Sequence, residues 1–96
     1  MKKFVYPAVI YYDEESQVYV LAIEDLGLFV EGDSVEEAHT RGEQFLGTLL
    51  EQSFKDGCTE EDLPEPKDYE QICEENPKNK CVLVQATLDD KNKAIK

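Results

Sequence analysis

The residues of this 96-residue chain that could carry chemistry are one histidine, three cysteines and twenty-two carboxylates. Nucleophilic catalysis needs a base within reach of a hydroxyl or thiol, yet His39 has no Ser or Cys three or four positions away in either direction. Cys58, Cys73 and Cys81 lie 15 and 8 residues apart with no CxxC knuckle, and an odd number cannot all pair within one chain. They read as reduced thiols in or near a core, not as a disulfide scaffold or a Cys3His zinc site completed by His39. A two-metal nuclease centre would require a carboxylate on a central strand, and residues 4–12, the first strand-like run, contain neither Asp nor Glu. Asp13 and Glu14 fall in a turn, while Glu36 and Glu37 are accounted for by a helix start. Gly27, Gly32, Gly42, Gly47 and Gly57 are dispersed and form no phosphate loop. Taken alone, these residues describe a non-catalytic domain with no metal or cofactor site.

Charge narrows the class of partner. Ten Lys and Arg against 22 Asp and Glu leave a net charge of −12, without a basic cluster beyond the dilute Lys91, Lys93 and Lys96. Such a surface repels phosphate backbones and suits a basic protein. No apolar run approaches the roughly 18 residues of a membrane span. The Met1-Lys2-Lys3 start leads into a strand-like run, not a signal peptide, so the cytoplasm is the expected location. A chain of 96 residues supports one small core, which makes a homodimer or higher homo-oligomer an expected source of added stability.

The elements that must position these residues follow from periodicity. Residues 4–12 are β-branched and aromatic, with Phe4, Tyr6, Ala8, Ile10 and Tyr12 on one face of a strand. Pro7 lacks an N–H, so its side of that strand is expected at an edge or beside an irregularity. The polar stretch 13–17 joins it to a second strand at 18–23, and Asp25-Leu26-Gly27 turns into a third at 28–31. Ser34-Val35-Glu36-Glu37 matches a capping box, in which Ser34 accepts from the Glu37 amide and Glu37 reaches back to Ser34. Val35, Ala38, Phe45, Leu46, Leu49, Leu50 and Phe54 form an apolar stripe expected to face the core, and Gly57 stops the helix. Leu63-Pro64-Glu65-Pro66 is extended, 67–75 is a short second helix turning Tyr69, Ile72 and Cys73 inward, and 81–88 is a fourth strand. The sum is an α+β fold, a β-β-β-α-(α)-β two-layer sandwich with a small, mostly antiparallel sheet under one long helix. Residues 1–90 are expected to form the domain and 91–96 a short polar tail, with 89–96 a frayed end or brief extension.

The wording of several segments resembles the HicB-like antitoxin family. The segments are Tyr6-Pro7-Ala8-Val9-Ile10, Asp25-Leu26-Gly27, Gly32-Asp33-Ser34-Val35-Glu36-Glu37-Ala38 and Leu63-Pro64-Glu65-Pro66, and the match spans residues 4–88, most specifically 32–38. Two turns depart from the pattern: the proline of the family's Asp-Leu-Pro-Gly is missing, and 13–17 lacks the usual glycine. The resemblance implies a degenerate, catalytically empty ribonuclease H-like fold. It also implies an antitoxin role, masking a small basic HicA-type ribonuclease toxin and its catalytic histidine, with no bond made or broken. Many family members continue into a DNA-binding module, which the eight residues after Leu88 cannot build, so no autonomous DNA binding is expected. Asp25, Glu31, Asp33 and Glu36, charges on the turn and third-strand side of the motif, are the candidate partner contacts. The alternative is an orphan HicB-like domain that binds another protein or a small ligand.

Overall fold

The computed structural model describes residues 1–94. Strands β1 (Lys2–Asp13), β2 (Val18–Ile23) and β3 (Leu28–Gly32) are followed by helix α1 (Val35–Lys55), helix α2 (Tyr69–Glu75) and strand β4 (Lys80–Leu88). The strands form one sheet in the order β3-β2-β1-β4, every pair antiparallel. The fold is therefore α+β, a four-stranded antiparallel sheet with a long helix. The last strand in sequence pairs beside the first, so the longest strand lies inside the sheet.

Register decides which residues meet. Ile10 pairs with Leu21, Leu21 with Val30 and Tyr6 with Val84, which places these residues on one face. That face packs under α1, where Ala38, Leu46 and Leu50 are fully buried against Tyr6, Ala8, Ile10, Leu21, Ile23, Val84 and Leu88. Burial of each large aliphatic side chain stabilises the fold by about 1.5–3 kcal/mol. The helix contacts both edge strands, β3 and β4, so its two flanks reach the two borders of the sheet.

The apolar stripe of α1 is wider than the surface the sheet covers. Ala38, Gly42, Leu46 and Leu50, at four-residue spacing, form the buried line. Phe45 and Leu49 each precede a buried leucine and are turned about 100° round the helix from it. Contrary to expectation they are 53% and 36% exposed. Tyr12, expected on the core face, is also exposed, and it stacks edge-on against Tyr19 at the end of the β1–β2 ladder.

Pro7 sits where its missing N–H costs least. β2 pairs with residues 9–13 of β1 and β4 with residues 2–10, so the β2 side of the first half of β1 is open. The Leu83 carbonyl points away from β1, which makes Pro7–Leu83 a non-hydrogen-bonded pair and turns the Pro7 nitrogen toward that gap. The 63–66 segment closes the gap: Leu63 packs on the core and the Tyr6 hydroxyl donates to the Pro64 carbonyl at 2.9 Å. The chain then lays α2 on the reverse face, against β1 and β4, where Ile72, Pro7 and Val9 are buried. This partial third layer extends the expected two. Of the inward residues expected on α2, Ile72 is buried, Cys73 half-buried and Tyr69 exposed.

Of the segment read as a frayed end or a brief extension, the described part takes the second form. Asp89 accepts from the Lys91 and Lys93 amides, both at 2.9 Å, and Ala94 bridges back to Leu88. Residues 95–96 of the expected tail lie outside the described residues.

Candidate functional site

The four candidate carboxylates do not form one cluster. Asp25 lies in a 3-10 turn, Glu24–Leu26, before β3, while Asp33 and Glu36 lie beyond its other end, about 16 Å away along a five-residue strand. Asp25 is half-buried and accepts from the Lys67 amide at 3.1 Å. The Tyr6 hydroxyl is pushed above the usual tyrosine pKa by burial first and by the Asp25 charge second. Asp25 therefore belongs to the contacts that fasten the 63–68 segment. Glu31, Asp33 and Glu36 are exposed and gather at the C-terminal end of β3 and the first turn of α1.

The entry to α1 explains why its motif has the residues it does. Ser34 Oγ accepts from the Glu37 amide at 3.0 Å, as the capping box requires. The return arm differs from expectation, since Glu37 Oε1 accepts from the Asp33 amide at 3.4 Å and not from Ser34. The same oxygen pairs with Arg41 Nη2 at 3.1 Å. A Cβ on Gly32 would stand 2.5 Å from the Ala38 backbone nitrogen, so only glycine lets the strand approach the helix this closely. Gly27, at φ +63°, makes the left-handed turn into β3 where the family pattern adds a proline.

The two edges of the sheet are finished differently. On β4 each outward-facing residue from Cys81 to Gln85 gives one backbone group to a side chain. Tyr69 Oη donates to Cys81 O at 3.0 Å, His39 Nε2 donates to Leu83 O at 2.9 Å, and Gln85 N–H donates to Glu43 Oε2 at 3.1 Å. The Ala94 bridge covers Leu88, and the Ala94 amide reaches Glu51 Oε2 at 3.4 Å. His39, a boundary residue of the polar flank, thus serves as an edge clasp. Sequence reasoning could not find this role, because its partner is a backbone carbonyl 44 residues away.

On β3 the only such contact among the described residues is Arg41 Nη1 donating to Glu31 O at 3.2 Å. Since that carbonyl points outward, alternation places the Glu31 N–H and both backbone groups of Phe29 on the open side as well. Phe29 is 64% exposed, and with Phe45 it flanks a shallow groove completed by Val30, Glu31, Arg41 and Gln44. Neither phenylalanine was singled out as a contact. For Phe29 the signal was its alternation with inward Leu28 and Val30, which turns the ring to the outward face.

Cys73 and Cys81 meet where α2 covers β4, and Cys58 is exposed; all three are free thiols. Burial, reinforced by a hydrogen bond with Cys73, pushes the Cys81 thiol up to about 11, which keeps it protonated and poorly nucleophilic. Among the described residues no three His, Cys, Asp or Glu side chains converge as metal ligands. No helix among them is long and apolar enough to cross a membrane.

This combination, a four-stranded antiparallel sheet under a helix entered through Gly32-Asp33-Ser34, is a fold the chain shares with solved structures. No family model and no curated protein sequence matches the chain. Among solved structures it is similar to the antitoxin HicB of Burkholderia pseudomallei, with a TM-score of 0.71 and 18% identity over 94% of this chain and 67% of that one. It is also similar to a chain of a toxin–antitoxin complex from Streptococcus pneumoniae, with a TM-score of 0.68 and 19% identity over 88% of this chain and 69% of the other. At such identities the likeness is one of fold.

Proposed function

We propose that this chain is an antitoxin-like binding protein that neutralises a small basic ribonuclease toxin of the HicA type by covering its active-site surface. The observation that carries this reading is the fold shared with an antitoxin and with a toxin–antitoxin complex over most of the chain. Charge supports it, since a net charge of −12 speeds encounter with a basic protein and opposes binding of nucleic acid without help. The work required is occlusion by a preformed surface, so the chain needs no catalytic residue or cofactor of its own. The reading places it in the cytoplasm, where its three thiols stay reduced, and keeps a homodimer or larger homo-oligomer as its working form.

The test is coexpression with the small basic protein of the adjacent reading frame. That protein alone should arrest growth and cleave RNA, and an equimolar amount of this chain should restore growth and stop cleavage. Unchanged cleavage in the presence of a stoichiometric excess would end the antitoxin reading. Sedimentation equilibrium at the 11.0 kDa monomer mass across all concentrations would remove the homo-oligomer.

A further inference from the structure

We propose that the open edge of β3 is the docking site, and that it takes an extended basic segment of the partner protein as a fifth strand. This deepens the toxin-masking reading and rests on it for the basic character of the partner. Three independent features meet at this edge. The Phe29 backbone groups and the Glu31 N–H face outward without a partner among the described residues, whereas β4 is closed by Tyr69, His39, Glu43 and Ala94. An added strand recovers those hydrogen bonds, whereas on β4 a side-chain clasp at each of Cys81, Leu83 and Gln85 stands in its way.

The second feature is apolar. Phe29 and Phe45 project on either side of the edge, 64% and 53% exposed, and would grip alternate side chains of an incoming strand. The third is charge. Glu31 lines the groove, Asp33 and Glu36 lie exposed just past the end of β3, and Arg41 is engaged with the Glu31 carbonyl and with Glu37. A second copy of this chain would bring another −12 charges to the same edge, so self-pairing is opposed where a lysine- or arginine-bearing strand is favoured. The segment that fits has cations in alternation with small or branched apolar residues.

The experiment uses the full chain, labelled with 15N, and a capped peptide of about eight residues alternating lysine and valine, a length that spans β3 and its turns. Titration at low salt should shift the Phe29 and Glu31 amides most and slow their hydrogen exchange. Glu31→Pro removes an outward N–H together with one carboxylate, and it should weaken binding about tenfold or more beyond Glu31→Gln, which removes the charge alone, with the β2–β3 ladder intact. Should that variant unfold, Phe29→Lys, at an exposed position, should weaken binding to a similar degree through repulsion.

Shifts centred on β4, shifts spread evenly over the acidic surface, or no binding would overturn the proposal. So would concentration-dependent protection of Phe29 and Glu31 without peptide, which would make the occupant a second copy. The outcome is separable from the antitoxin test: toxin neutralisation that leaves these two amides unprotected in the complex overturns the docking site alone. Peptide bound at β3 by a chain that neutralises no toxin supports the site and removes only the proposed function.

Discussion

The β4 and β3 edges of this sheet carry the same kind of backbone groups and meet opposite fates. β4 is nine residues long and is closed by side chains from both helices and by the Asp89–Ala94 turn. β3 is five residues long, has a single arginine contact, and displays a phenylalanine outward. A long bare edge invites aggregation, so covering β4 is a protective measure, while shortness already limits the hazard at β3.

The largest effect is expected at the corner that holds β3 to α1. Gly32→Val would drive a side chain into the Ala38 backbone and cost about 3 kcal/mol, with hydrogen exchange rising first in β3 and the start of α1. If exchange rose uniformly, the two edges would not be independently anchored. Next comes the clasp on β4: His39→Ala with Tyr69→Phe removes two edge hydrogen bonds and should cost about 1–2 kcal/mol in chemical denaturation. The double variant should also self-associate more readily than the parent, and equal behaviour would mean that β4 needs no cover.

Acid should loosen the far end of β4. The Lys93 and Lys91 amides hold the Asp89 carboxyl below the usual carboxylate pKa. A carboxylate depressed by folding contributes stability that is complete above its unfolded pKa and is lost as pH falls through the folded one. Protection of those two amides should therefore fade through that acidic window, and Asp89→Asn should abolish the pH dependence. The smallest effect is expected from Phe29→Ser, within about 0.5 kcal/mol of the parent because the ring is exposed. A larger loss would show that Phe29 belongs to the fold more than to the open edge.

How much of this was legible in the sequence differs by feature. The β2 strand falls where its apolar run does, Ser34 caps α1 as its spacing demands, and the Pro7 side of β1 lies beside a break in pairing. These are local matters of side-chain period, hydrogen-bond reach and a missing donor. The candidate site was legible only in part. Glu31 lies on β3 with Asp33 and Glu36 just past its end, while Asp25 accepts from the Lys67 amide, 42 residues on, a contact that no local pattern announces. Phe45 and Leu49 matched the helical stripe and still lie outside the core, because a stripe records where apolar residues stand and not how much of it the sheet will cover.

What the amino-acid order by itself determined is thus the set of elements, most of the caps and turns between them, the acidic balance and the absence of Asp and Glu from residues 4–12. All of these depend on residues within a turn or two of one another. Tertiary structure decided that β4 lies beside β1, that α2 takes the reverse face, and that His39, Glu43 and Tyr69 close one edge while the other stays open. Those outcomes join residues tens of positions apart, and alternation within a strand says which side chains share a face but not which neighbour its backbone will find.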